Sequence, residues 1–159
     1  MKATHNGTCQ ACGRLQAAKG SIAKHGYTVK GFGFFHGVCF GSHNVPMEAG
    51  QELTLSTIAK LLEGAAALEA TTAEDVKSLS VRTEKRVNFS TVYAVMTEAE
   101  YEAFAKASQY GPLYHGTWEE KVRVALMNFK GEARMMVAHA KMLEDLMAAR
   151  AGQPLVERK

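Results

Sequence analysis

Apolar residues recur at helical spacing in the middle and last thirds of the chain, and between these two stretches the pattern switches to that of a strand. Over residues 51–71, Leu53, Ile58, Leu61, Leu62, Ala65 and Leu68 follow the helical period with no proline among them, which predicts an α-helix. Thr71 or Thr72 then offers an N-cap for a short helical turn at Ala73-Glu74-Asp75. From 78 to 96 the side chains become β-formers (Leu79, Val81, Val87, Phe89, Thr91, Val92, Tyr93, Val95) and predict one strand or a hairpin. Thr97 and Glu100 stand at capping-box spacing, so a further helix starts there and ends near Gly111-Pro112.

The last element is the longest. Trp118, Val122, Leu126, Phe129, Ala133, Met136, Ala140, Leu143 and Met147 repeat at spacings of four and three, an amphipathic seam over about 117–150. Gly131 weakens this helix by ~1 kcal/mol relative to alanine and is a candidate break. Five of the eight methionines lie here, at 127, 135, 136, 142 and 147. Such a stripe serves as adaptable core, or as a groove for a partner or for self-association into a homo-oligomer. Residues 151–159 read as a frayed tail.

Residues 1–48 form a unit of another kind. Nine of the 14 glycines lie at or before Gly50, as expected of a module shaped by turns and a metal rather than by a thick core. Tyr27, Phe32, Phe34, Phe35 and Phe40 supply its apolar volume, as packing in preference to a base-stacking platform. The fold class that follows is α+β. A small N-terminal zinc-finger-like module (1–48) precedes a mostly helical body (49–159) with a short β hairpin or strand and a long C-terminal amphipathic helix.

All three cysteines, Cys9, Cys12 and Cys39, fall in the first module. A Cys-x2-Cys step lets one tight turn aim two thiolates at one ion, and Gly13 directly after it lets backbone N–H groups turn toward the sulfurs. An odd number of cysteines, with no apolar signal stretch at Met1-Lys2-Ala3-Thr4-His5, argues for metal binding in the cytoplasm over a disulfide framework. Three histidines compete for the fourth position. His36-x2-Cys39 would copy the first step and give two facing knuckles. A hairpin folded near Ala18-Lys19 would instead pair residue 12 with residue 25 and return His25 to the metal. His43 would reach it only through a helical turn begun at Cys39. Three sulfurs and one nitrogen with no open position select structural Zn2+ over iron or copper.

The segment Cys9-Gln-Ala-Cys-Gly-Arg, then His25-Gly26-Tyr27, Cys39-Phe-Gly and Pro46-Met-Glu48, resembles a group of small uncharacterised proteins of tailed bacteriophages and prophages. The likeness covers residues 9–48. It implies Cys9, Cys12, His25 and Cys39 as the recurrent positions and His36 as a variable one. The chain departs from the pattern at Met47, where an aromatic is usual.

Charge and missing motifs narrow the function classes. Residues 1–47 hold five of the 19 basic residues (Lys2, Arg14, Lys19, Lys24, Lys30) and no acid, so the module is basic while the remainder, with 14 bases against 16 acids, is not. Those five are the candidate contacts to an anionic partner such as a nucleic acid. A catalytic zinc keeps a position open beside a carboxylate base, and no carboxylate precedes Glu48. No phosphate-binding loop, nucleophile elbow or zinc-protease signature is present. A divergent His-metal finger nuclease using His25, His43 and Asn44 is the enzymatic alternative, weakened by the lack of a second Cys-x2-Cys pair. The reading that remains is a non-enzymatic zinc protein with no catalytic residue, of phage accessory type. It docks onto a host or phage macromolecule, a protein before a nucleic acid, and no segment is apolar over the ~20 residues that span a bilayer.

Overall fold

The computed structural model describes residues 3–26, 37–87, 90–110 and 112–158. It is α+β. Strands β1 (His5–Thr8), β2 (Leu15–Lys19) and β3 (Ser21–Ile22) precede helix α1 (Glu52–Ala70) and a single 3-10 turn (Ala73–Asp75). Strands β4 (Leu79–Val87) and β5 (Ser90–Met96) follow, then helices α2 (Glu98–Ala107), α3 (Pro112–His115) and α4 (Trp118–Arg150), and a last short strand, β6 (Val156–Glu157).

Threonine followed three residues later by a carboxylate sets the starts of the 3-10 turn, α2 and α4. The Thr97 N–H and Oγ1 both donate to Glu100 Oε2 at 2.8 Å, and Thr72 does the same to Asp75 Oδ2 at 2.8 and 2.7 Å. The backbone N–H bonds, with the hydroxyls second, hold both carboxyls below their ordinary pKa. Thr117 and Glu120 repeat the device at the start of α4, where the periodicity alone had marked the helix. Helix α2 ends at Ala107, short of the expected Gly111-Pro112. Helix α4 runs unbroken through Gly131, so the glycine lowers helix propensity without ending it. All nine seam residues of α4 are buried or half-buried.

The chain divides into two compact units, Met1–Ala65 with Met135–Lys159, and Ala66–Arg134. The unit that holds residues 1–48 thus also contains most of α1 and the C-terminal half of α4. Its sheet is antiparallel in the order β3-β2-β1-β6, with Thr8 opposite Leu15, Ala18 opposite Ile22 and His5 opposite Glu157. The expectation of a frayed tail is therefore corrected. β6 satisfies its backbone against β1, the Arg158 N–H donates to Thr4 O at 2.9 Å, and the Gly152 N–H donates to Glu48 O at 3.1 Å. One small core gathers Cys9, Ala11, Ala18, Ile22 and Cys39, and a second gathers Met47, Ile58, Ala140 and Leu143. Met47, the departure from the phage-like pattern, is fully buried there.

The second unit is the β4–β5 hairpin with α2, α3 and the start of α4. Its core is Val81, Tyr101, Trp118 and Val122, with the Tyr101 and Trp118 rings 5.8 Å apart. The Tyr101 hydroxyl donates to His115 O at 2.6 Å, which satisfies a buried polar group and pins α3. Among the described residues, no helix is long and apolar enough to cross a membrane.

Leu143 is fully buried, whereas Met135 is exposed on the same helix. Leu143→Ala is expected to cost about 3 kcal/mol in chemical denaturation, through lost burial and the cavity left behind. Met135→Ala should stay within about 0.5 kcal/mol.

Candidate metal centre

The Cys-x2-Cys step is the turn of the β1–β2 hairpin. Because Thr8 pairs with Leu15, residues 9–14 must form the connecting loop. The Cys9 N–H donates to Arg14 O and the Gly13 N–H to Cys9 O, both at 2.9 Å, which curls the loop into a knuckle. Gly13 sits at φ +69°, a conformation that side chains rarely adopt. The turn aims backbone N–H groups at sulfur, those of Ala11 and Cys12 toward Cys9 and that of Arg14 toward Cys12. Cys39 receives the N–H of Gly41 in the same manner. A Cβ at Gly41 would collide with the Cys9 sulfur and the Ala11 side chain, so only glycine lets the two turns meet.

His25 arrives by a route other than the expected hairpin. The β2–β3 register is centred on Gly20, not between Ala18 and Lys19, and β3 ends at Ile22. Cys12 therefore lies on the knuckle and has no strand partner at position 25. The cause is the β1 pairing, which fixes β2 as Leu15–Lys19 and consumes residue 12 in the loop. Backbone bonds then zip the chain after β3 to the Cys39 turn. The Ile22 N–H donates to Asn44 O, His43 N–H to Ile22 O and Cys39 N–H to His25 O, each at 2.8 Å. This zipper delivers His25 and Cys39 together.

The ligand atoms of Cys9, Cys12, His25 and Cys39 all lie within 4.8 Å of one another and could hold a metal ion. The Cys9 and Cys39 sulfurs are 3.9 Å apart, and Cys12 Sγ is 3.4 Å from His25 Nε2. A zinc tetrahedron with ordinary Zn–S and Zn–N bonds has edges of roughly 3.8 Å between sulfurs and roughly 3.6 Å between sulfur and nitrogen. These two separations match those edges, and the whole set lies within 4.8 Å.

The outer partners fit as well. His25 Nδ1 lies 2.9 Å from Ala23 O, so the proton sits on Nδ1 and the Nε2 lone pair faces the sulfurs. The buried Ser42 hydroxyl also lies 3.2 Å from Nδ1 and accepts the His25 backbone N–H at 3.2 Å. Cys12 is drawn down to about 4, chiefly by the hydrogen bond from Cys9, with Arg14 and His25 contributing. The same bond to Cys12, with burial, pushes the Cys9 thiol far up, and burial raises Cys39. One thiolate of the Cys9–Cys12 pair is thereby favoured, and the remaining thiols are held toward the protonated form.

The remaining expected residues are distributed unevenly. His43 is exposed and is not a member of the cluster, while His36, Lys2 and Lys30 lie outside the described residues. Lys19 and Lys24 are exposed, but Arg14 turns toward the Gly26 carbonyl and the Cys12 sulfur. Glu48 accepts the Thr8 N–H at 2.9 Å and the Thr8 hydroxyl at 2.6 Å, a structural use of the first carboxylate in the chain.

Sequence reasoning missed Gln10, which lies buried between the first two ligands. Its Oε1 accepts the N–H groups of Leu53 and Thr54, at 3.0 and 3.2 Å, and caps α1. Its Nε2 donates to Val45 O at 2.9 Å. The available signal was the absence of Ser, Thr, Asp or Asn just before Glu52, which left the helix without a local cap.

No family model, no curated protein and no solved structure matches this chain. The resemblance of residues 9–48 to phage-encoded proteins gains no support from them.

Because Cys9 and Cys39 are raised, zinc uptake at neutral pH should release about two protons per ion, measured by calorimetry in buffers of differing ionisation enthalpy. Affinity should accordingly fall as pH is lowered, since protons then compete for the same sulfurs. His25→Ala should lose the metal, whereas His36→Ala and His43→Ala should retain it. Ser42→Ala should weaken binding about 10-fold by freeing the imidazole, as read by competition with a chromogenic chelator.

Proposed function

We propose that this chain is a non-enzymatic docking protein whose N-terminal segment is organised by a structural Zn2+ on Cys9, Cys12, His25 and Cys39. The observation that carries the reading is the convergence of four protein ligand atoms within 4.8 Å. Such a set fills a zinc tetrahedron and leaves no position for a reactive water. Zinc is favoured by the mixed sulfur and nitrogen donors and by edges of tetrahedral length.

A protein partner is favoured by the side chains that flank the ligands in sequence. Leu15, Val38, Phe40 and Val45 are all exposed, Phe40 at 64%. Apolar side chains left in water beside a rigid metal-held turn mark an interaction surface. The resemblance of residues 9–48 to phage-encoded proteins points to a host protein as the partner, in a takeover or counter-defence role. The second reading is contact with nucleic acid through Lys19 and Lys24, favoured by the excess of basic residues in the first 47 positions.

Affinity purification from bacterial cells with mass spectrometry separates the two. The zinc-loaded protein should retain a defined protein partner, and Phe40→Ser should lose it while keeping fold and zinc. Retention of nucleic acid that disappears in 0.5 M salt (on the order of a thousandfold weakening for several phosphate contacts) and with Lys19→Gln and Lys24→Gln would replace this reading with the second. Cleavage of plasmid DNA with magnesium would overturn both.

A further inference from the structure

The second unit carries an open groove of about 720 Å³ between the β4–β5 hairpin, α3 and the first turns of α4. That volume lies within the range of about 300–1,000 Å³ typical of built ligand sites. Three tyrosines line it, and all are left in water: Tyr93 is 62% exposed, Tyr110 57% and Tyr114 71%. Single exposed tyrosines are ordinary, but three gathered on one groove need a reason beyond packing.

Their surroundings hold the rings in place. Arg82 stands directly across the hairpin from Tyr93, so guanidinium and ring share one face of the sheet. Tyr110 and Tyr114 have centroids 4.9 Å apart, and Tyr114 rests edge-on against His115 at 5.2 Å. His115 is itself buried, with its Nε2 2.7 Å from Ser108 Oγ and its carbonyl accepting the Tyr101 hydroxyl. The aromatic wall is anchored in the core of this unit. Lys121 adds a second cation, and among the described residues no carboxylate lines the groove. That is a local bias, because the unit as a whole holds ten acids against nine bases.

Exposed rings that offer faces to a flat partner, spaced among cations with no carboxylate among the described lining residues, match the chemistry of bases joined by phosphates. A duplex hides its base faces, and an enclosed small ligand would cover the rings from all sides. We propose that this groove binds a single-stranded nucleic acid, with bases stacked on Tyr93, Tyr110 and Tyr114 and phosphates met by Arg82 and Lys121. The site is separate from the metal centre and does not depend on its role.

The test uses the zinc-loaded full chain and fluorescein-labelled oligo(dT) and oligo(U) of about 12 nucleotides, a length that covers common single-strand site sizes. Anisotropy at low salt should show saturable binding of one or both strands, and the more avid of the two is the preferred strand. A duplex of the same length should bind more weakly. Tyr93→Ala and Tyr114→Ala should each lower affinity about 10-fold, whereas Tyr93→Phe and Tyr114→Phe should retain it, because stacking needs the ring and not the hydroxyl. Arg82→Gln and Lys121→Gln should each reduce the salt slope by roughly 0.7. Lys19→Gln and Lys24→Gln should change nothing.

These tyrosines are exposed, so their variants should melt as the parent does, and loss of binding will not be loss of fold. The proposal is overturned by no binding at low salt, by alanine variants that bind as the parent does, or by loss confined to the Lys19 and Lys24 variants. It is equally overturned if a mononucleotide competes as tightly as the strand, or if the tyrosine variants lose a protein partner and not the oligonucleotide.

Discussion

The convergence of three sulfurs and one imidazole is the constraint around which the described N-terminal segment is arranged, and the apolar cluster beside it is small. Its buried cluster is Cys9, Ala11, Ala18, Ile22 and Cys39. Two of those five are ligands and two are alanines, so only Ile22 brings substantial aliphatic volume. Strands of four, five and two residues add few ladder bonds, and short strands without a thick core are marginal in water. A cation bridging positions 9, 12, 25 and 39 would tie three successive loops at one point and contribute its binding free energy directly to folding. The N–H groups aimed at the sulfurs and the carbonyl aimed at Nδ1 show a chain already shaped around that point.

Gln10 carries this constraint outward. It lies between the first two ligands, yet its amide oxygen takes two of the orphan N–H groups at the start of α1, and the Thr54 hydroxyl returns a bond to the Gln10 carbonyl at 3.1 Å. A helix capped by a side chain more than 40 positions upstream cannot set its first turn independently of the knuckle. Met47 makes a parallel connection, with its N–H on Thr8 O at 2.8 Å and its side chain among Ile58, Ala140 and Leu143. These bonds and contacts join the knuckle to the helices of this unit.

Local patterns carried much of the fold. The helix read over 51–71 is Glu52–Ala70, and Thr97 caps α2 through Glu100 as the spacing implied. The seam from Trp118 to Met147 is the face that α4 keeps from solvent. These were legible because capping and period are decided within a few residues. The hairpin register was not, since it is set by the pairing of β1 with β2, which decides where residues 9–14 are consumed. The four candidate ligand atoms nonetheless come together, because the β1–β2 loop and the backbone bonds joining Ile22 and His25 to the Cys39 turn lead to one point. Long-range links such as Gln10 to Thr54, or β1 to β6, leave no periodic trace and could not be read from the chain.

The pairing of β1 with β6 has a consequence for the order of events during synthesis. The unit Ala66–Arg134 is continuous and has all its parts once its last residue leaves the ribosome. The other unit is interrupted by it. β1 must wait for Val156 and Glu157, Glu48 for Gly152, and the Met47 cluster for Ala140 and Leu143. At ordinary elongation rates, about 5–20 residues per second, the interval between Cys39 and those last residues is several seconds or more. Throughout it, three thiols and an imidazole face the cell with only part of their scaffold. The cysteines are made early, and their surroundings are finished last.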